Sequence, residues 1–88
     1  REIGWLTLPP GASIGEHKHT DNEDVYIIVS GKGVFTDSTG KQTQVGAGDI
    51  TIARPGQSHA LKNIGKEPLV FLDLIAETAT AQAKTFTQ

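Results

Sequence analysis

The three histidines of this 88-residue chain are the residues whose type and spacing could do chemistry. His17 and His19 lie one residue apart in the stretch GEHKHT, and His59 lies forty residues after His19. Side chains at i and i+2 of a β-strand share a face, so the first two histidines should point the same way, opposite to Lys18. The alternative is a pair of exposed histidines on an edge strand, because short two-histidine motifs arise often by chance.

Carboxylates beside the first two histidines extend the possible site to oxygen donors. Glu23 and Asp24 follow closely and lead into the apolar run VYIIV. Three imidazoles and one carboxylate would suit Mn, Fe, Co, Ni, Cu or Zn and would leave a position open for a substrate. The chain has no cysteine, which excludes thiolate ligands and disulfides. The absence of cysteine also fits a reducing, cytoplasmic location.

The elements that must position these residues are short strands separated by glycine- and proline-bearing turns. Eight such strands with a turn about every ten residues are typical of an all-β sandwich or barrel. The predicted strands cover residues 2–8, 14–19, 24–30, 33–38, 42–46, 49–53, 58–64 and 68–76. The core strands are expected at the apolar runs 25–29, 50–52 and 69–75. The turns SGKG and TGK predict two hairpins.

The domain organisation follows from where the strand pattern stops. We predict one barrel domain at residues 1–76 and a tail at 77–88. The absence of methionine, even at position 1, indicates a processed product or part of a longer protein. A domain of this size has a limited core, and its strand EIGWLTL with Trp5 resembles an exposed apolar edge. We therefore expect a homodimer.

Charge and hydropathy exclude two classes of partner. The net charge is -2 and no basic cluster is present, so we expect no nucleic-acid partner. The longest apolar stretch, PLVFLDLIA, is too short and too acidic to span a bilayer. Residues 1–8 lack the charged start and apolar core of a signal peptide. The expected partner is a small molecule rather than a membrane.

The segment GDITIARPGQSHALKN at residues 48–63 supplies a second spaced motif, and with the first it resembles the cupin superfamily. The first cupin motif is a glycine, five residues, His-x-His, three or four residues, a glutamate, six residues and a glycine. Its matches here are Gly11, His17, His19 and Gly31. The second motif is a glycine, five residues, Pro-x-Gly, two residues, a histidine, three residues and an asparagine. Its matches are Gly48, Gly56, His59 and Asn63.

The chain departs from the cupin pattern at two positions. Arg54 replaces the first proline of Pro-x-Gly, and Asp24 stands where the motif has glutamate, directly after Glu23. Adjacent strand residues face opposite ways, so only one of these two acids can reach a metal. We expect Asp24 to be the ligand or a water-mediated partner, since it shares a face with Tyr26 and Ile28. The irregular link TDNE could instead turn Glu23 inward.

The resemblance implies a jelly-roll barrel of six to eight strands with a divalent transition metal inside its mouth. It assigns His17, His19 and His59 as metal ligands. Metal cupins similar to this chain include oxygenases, isomerases and lyases acting on small oxygenated or carbonyl-bearing molecules. The alternative is a non-catalytic module that binds a sugar or another small ligand. Both remain open, because one fold hosts many activities.

Several further polar residues are candidates for the ligand pocket or for structural roles. Gln57, two residues before the third histidine, and Arg54 are candidate substrate-binding residues, with an exposed surface position as the alternative for each. Tyr26 is expected in the pocket wall and is the candidate proton donor. Asp73 interrupts the last apolar run and is expected to point outward, with a place just behind the metal ligands as the alternative. Asn63 is expected to cap a turn near the following glycine rather than to bind metal.

Overall fold

Eight β-strands make up the fold. The computed structural model describes residues 2–18 and 22–77 of the chain. The strands are β1 (Glu2–Leu8), β2 (Ser13–Lys18), β3 (Asn22–Ser30), β4 (Lys32–Thr36), β5 (Gln42–Gly46), β6 (Ile50–Ala53), β7 (Ser58–Asn63) and β8 (Leu69–Glu77). Each begins and ends within two residues of its predicted bounds. Within the described residues there is no helix long and apolar enough to cross a membrane.

The strands form two four-stranded antiparallel sheets. The first sheet has the order β1-β8-β3-β6 and the second has the order β2-β7-β4-β5. Successive strands alternate between the sheets over most of the chain, so the two inner faces enclose a barrel. The predicted all-β jelly-roll fold is therefore confirmed. Strand β8 continues to Glu77, the first residue of the predicted tail. The rest of the tail, from position 78 onward, lies outside the described residues.

One of the two predicted hairpins is present, and the prediction of the other is wrong. The TGK turn joins β4 to β5, which pair with each other. At SGKG, however, β3 and β4 belong to different sheets, so the chain crosses the barrel there. Gly31 has a φ of 95° at this crossing, and a Cβ on it would lie 2.6 Å from the Pro68 carbonyl oxygen. Gly33 has no positive φ, but a Cβ there would lie 2.9 Å from the Lys62 carbonyl oxygen, so the close approach of the backbone favours glycine.

The core lies between the two sheets and draws on both. Its buried residues are Tyr26, Ile28, Phe35, Val45, Leu61, Leu69 and Phe71. Strands β3 and β8 supply core residues as predicted. Strand β6 differs, because Thr51 and Ala53 face inward while Ile50 and Ile52 are exposed. The two-residue period of a strand requires these pairs to face opposite sides.

Candidate metal and ligand site

A buried carboxylate and a buried imidazole meet between the two sheets. Asp24 comes from β3 of the first sheet and His59 from β7 of the second. Each residue is 1% exposed, and Oδ2 of Asp24 lies 3.1 Å from Nε2 of His59. Both carboxylate oxygens and both ring nitrogens are shielded from solvent. The aspartate therefore reaches the histidine despite being one methylene shorter than the glutamate of the cupin motif.

The alternation of β3 explains why Asp24 rather than Glu23 lies inside. Asp24, Tyr26 and Ile28 are all buried, while the residues between them are only partly buried. The alternation already holds at Glu23, whose Cα partner on β8 is Ala76. Of the two adjacent acids, the structure brings only Asp24 to His59.

Aromatic rings hold the His59 imidazole on two sides. The ring centroids of Tyr26 and His59 are 5.0 Å apart, and those of Phe35 and His59 are 5.9 Å apart. Tyr26 in turn packs against Phe71, with centroids 4.9 Å apart. These contacts join both sheets, so the orientation of the imidazole depends on the closed barrel. Tyr26 lies in the wall of the barrel interior, as expected from the strand face that it shares with Asp24.

The backbone of β2 places a second histidine beside His59. Strand β2 pairs with β7, and His17 is the Cα partner of His59 after a register shift that begins at Ile14. Nothing is described of the His17 side chain, and His19 lies outside the described residues. Among the side chains that are described, no group of three or more His, Cys, Asp or Glu residues is close enough to hold a metal ion. The four-ligand set thus remains a prediction.

The described half of this set fits a transition metal. Imidazole nitrogen and carboxylate oxygen both bind such ions at about 2.1 Å, so two neighbouring ligands on one ion are separated by about 3 Å. The distance of 3.1 Å between Asp24 Oδ2 and His59 Nε2 agrees with that separation. A buried carboxylate is costly unless an opposite charge compensates it, and a bound cation would do so. The residues present therefore fit the metal that the cupin pattern implies.

A second carboxylate, Asp73, faces the interior of the barrel, so the prediction that it points outward is wrong. Asp73 on β8 is the Cα partner of Tyr26, and opposite residues of an antiparallel pair share a face. Its Oδ1 is shielded from solvent. The sequence signal was available, because Asp73 lies two residues after the buried Phe71. Thr51, also a Cα partner of Tyr26, is a further buried interior residue that the sequence analysis missed.

The electrostatic surroundings of Tyr26 keep its hydroxyl protonated. Burial raises the pKa of Tyr26 well above its ordinary value of 10, and the carboxylates of Asp24 and Asp73 raise it further. An ionised phenol would be poorly solvated here and would face two negative charges. The Tyr26 hydroxyl is consequently a hydrogen-bond donor across the neutral pH range.

The two other predicted substrate-binding residues lie at an exposed turn. Arg54 and Gln57 are both exposed, and Oε1 of Gln57 accepts a hydrogen bond of 2.9 Å from the Arg54 backbone N–H. Strand β7 begins only at Ser58, so the alternation that buries His59 does not extend back to Gln57. The described contacts bring neither residue to the Asp24–His59 pair, and Gln57 instead closes the turn.

Asn63 supports the barrel rather than the site. Its Nδ2 donates hydrogen bonds of 2.8 Å to the Leu8 carbonyl and 2.9 Å to the Glu67 carbonyl. Its Oδ1 accepts a bond of 2.8 Å from the Gly65 N–H. The predicted turn-capping role of Asn63 near Gly65 is confirmed.

Comparison with known proteins identifies the family. The Cupin_2 family model, which describes the cupin domain, matches residues 4–75. The chain belongs to the cupin family. This cupin is 43% identical over 75 residues to the oxalate-binding protein of Thermotoga maritima, covering 85% of this chain and 61% of that relative. It is 34% identical over 73 residues to a gentisate 1,2-dioxygenase of Ralstonia, covering 83% of this chain and 20% of the dioxygenase.

Solved structures support the same fold. A crystal structure described as a predicted oxalate decarboxylase from Thermotoga maritima superposes with a TM-score of 0.85 at 40% identity. The matched region covers 89% of this chain and 67% of that structure. The cupin thus spans about three fifths of the oxalate-binding relative and a fifth of the dioxygenase.

Proposed function

We propose that this cupin binds one divalent transition metal through His17, His19, His59 and Asp24. The observation that carries the proposal is the buried contact of 3.1 Å between Asp24 and His59, formed where the two sheets face each other. The register that makes His17 the Cα partner of His59 supports a further imidazole at the same place. The donor set would accept Mn, Fe, Ni, Zn, Co or Cu.

The chain's own residues suit a small oxygen-bearing ligand. The bound ion would supply a Lewis acid that polarises a carbonyl or carboxylate oxygen. Tyr26 keeps its proton and can donate a hydrogen bond to such an oxygen, which makes it the candidate acid. Phe35 and Phe71 line the same interior with apolar surface and limit the access of water.

We further propose that the ligand is a small dicarboxylate of the oxalate type. The similarity to the oxalate-binding protein of Thermotoga maritima and to the predicted oxalate decarboxylase supports this ligand class. The reaction would be of the oxygenase, isomerase or lyase type. A non-catalytic binding module is the second candidate, and it is favoured by the similarity to a protein named for binding oxalate. The cytoplasmic location remains a prediction.

Elemental analysis and calorimetry test this function. The protein is purified without chelating resin and its metal content is measured, then the apoprotein is reloaded with each of the six candidate ions. Oxalate is titrated into each loaded form and into the apoprotein. We expect about one ion per chain and oxalate binding that requires it. The absence of metal binding under all six conditions would overturn the proposal.

Assays of turnover separate the two candidates. Each loaded form is incubated with oxalate, with and without dioxygen, and loss of oxalate is followed together with release of carbon dioxide. A loss of turnover in Tyr26→Phe that is much larger than its loss of oxalate affinity supports the enzyme and the role of the hydroxyl. Stoichiometric oxalate binding without turnover supports the binding module.

A further inference from the structure

The barrel has an open cleft on the side where the edge strands β5 and β6 face each other. Strand β5 is an edge of the second sheet and β6 is an edge of the first, and of the described strands these two are not paired with each other. Their connecting turn is fixed to β3, because the Gly48 N–H donates to the Ile28 carbonyl at 2.8 Å and the Ile28 N–H donates to the Asp49 carbonyl at 2.9 Å. Beyond this turn the two edges leave a cleft of about 400 Å³, which is within the range of small-molecule sites.

The walls of this cleft combine apolar surface with hydrogen-bonding groups. Phe35 and Val45 of the core contribute apolar surface to it. Its polar lining residues are Asp37, Thr43, Gln44, Asp49 and Thr51. We call the space lined by these seven residues the β5–β6 cleft. Of the described residues that line it, none carries a positive charge. Apolar walls with a few placed polar groups are typical of sites for small molecules.

The Thr51 hydroxyl is a buried group that needs a partner. Thr51 is 8% exposed, its Oγ1 is shielded from solvent, and no hydrogen-bond partner for Oγ1 is present among the described residues. A buried hydroxyl without a partner destabilises the fold, whereas a valine of the same shape would not. Rotation about χ1 exchanges the positions of Oγ1 and Cγ2, so the hydroxyl can turn towards a ligand without a change in the backbone. A hydroxyl that is unfavourable for the fold is therefore available to a ligand.

Two carboxylates of the cleft are held in place by one oxygen each. Oδ1 of Asp37 accepts hydrogen bonds from the Thr39 N–H at 2.9 Å, the Thr39 hydroxyl at 2.6 Å and the Lys41 N–H at 3.0 Å. Oδ2 of Asp49 accepts a hydrogen bond of 2.7 Å from the Gly46 N–H. Within the described part of the chain, no donor reaches the second oxygen of either carboxylate. An ionised carboxylate only accepts hydrogen bonds, so the cleft favours ligands with donors and disfavours a negative charge.

We infer that the β5–β6 cleft binds a small uncharged polyol of about the size of a monosaccharide. The hydroxyls of such a ligand both donate and accept, so they suit the carboxylate oxygens and the Thr51 hydroxyl together. Its C–H groups pack against the apolar surface of Phe35 and Val45. A purely apolar ligand would leave the Thr51 hydroxyl unsatisfied, and an anion would meet the two carboxylates. The cleft is formed by residues other than the proposed metal ligands, so this binding requires no metal.

Titrations followed by two-dimensional NMR of the backbone amides test the cleft. D-glucose and myo-inositol are added to the full chain as purified and again in the presence of a chelator, so that metal content does not decide the outcome. The ligand efficiency of drug-sized molecules, applied to about twelve non-hydrogen atoms, gives a dissociation constant of about 2 mM. Saturable shifts should centre on the amides of Thr43, Val45 and Thr51. D-glucuronate, the same ring with a carboxylate, should bind at least about threefold more weakly than D-glucose.

Matched threonine substitutions test the role of the hydroxyl. Thr51→Val keeps the branched shape within the cleft, and Thr36→Val makes the same change on the opposite face of β4 from Phe35. Thr51→Val should raise the dissociation constant about three- to tenfold, as loss of a neutral hydrogen bond does, and should also raise the midpoint of thermal unfolding. Thr36→Val should leave the affinity unchanged.

Asp49→Asn provides a second variant in the cleft, because its amide oxygen can still accept from the Gly46 N–H while the charge is removed. This variant should narrow the difference in affinity between D-glucose and D-glucuronate. The absence of saturable shifts at up to about 50 mM of either polyol, far above a millimolar dissociation constant, would overturn the inference. Equal losses in the two threonine variants would also overturn it, as would wild-type affinity for D-glucuronate equal to that for D-glucose.

Discussion

Replacing Asp24 by alanine should remove most of the metal affinity, while replacing Glu23 should not. Asp24 has both oxygens shielded from solvent and one of them 3.1 Å from the His59 imidazole. Groups that only support a ligand already contribute 10- to 100-fold to metal affinity, so loss of a ligand should cost at least about 100-fold. This factor corresponds to about 2.7 kcal/mol of binding free energy. Glu23 points to the opposite face of β3, so Glu23→Ala should change the metal affinity less than about threefold.

The assay is competition for Zn²⁺ or Co²⁺ against a chromogenic chelator at neutral pH. Thermal unfolding of each apoprotein verifies that the variants fold, and Asp24→Asn serves as a matched control that keeps the side-chain volume. Asp24→Asn should lose affinity nearly as strongly as Asp24→Ala, because an amide cannot supply the negative charge. Equal losses for Asp24→Ala and Glu23→Ala, or a larger loss for Glu23→Ala, would refute the assignment of Asp24 and the alternation on which it depends.

Three other residues give independent predictions. Tyr26 is the only tyrosine, so tyrosinate absorbance reports on it alone. Because its pKa is raised in the folded protein, its contribution to the free energy of unfolding is present below a pH of about 10 and is lost as the pH rises beyond that value. Ionisation of Tyr26 at a pH of about 10 in the folded protein would contradict this. In urea unfolding, Gly31→Ala should lower the free energy of unfolding by at least about 2 kcal/mol, because the added Cβ would contact the Pro68 backbone. Gly40 has a φ of 87°, but a Cβ there would meet nothing within 4 Å, so Gly40→Ala should cost only about 1 kcal/mol. Equal costs would reject the contact with Pro68 as the cause. Asn63→Ala should cost about 2–4 kcal/mol in the same assay, because three partly buried hydrogen bonds are lost. A loss below about 1 kcal/mol would contradict that role.

The sequence alone determined those features that depend on local geometry. Turn residues and two-residue periodicity located all eight strands, and the same periodicity placed Asp24, Tyr26 and Ile28 on one face. Gly56 follows Pro55 with a φ of 84°, the conformation that glycine favours at the third position of a type II turn. These features could be predicted because a strand's alternation and a turn's backbone conformation are set by a few neighbouring residues.

The tertiary structure decided which sheet each strand joins and which face of the strand is inside. The crossing at Gly31 resembled a hairpin in sequence, because a glycine turn between two strands has the same local signal in both cases. Ile50 and Ile52 appeared to be core residues, and Asp73 appeared to be a surface residue, because apolar side chains were assumed to mark the interior. The first sheet instead places Ile50 and Ile52 on its outer face, while Asp24 and Thr51 lie within the barrel. Hydrophobicity identifies surface that must be shielded from water, but only the packing of the two sheets determines which side of each strand the barrel itself shields.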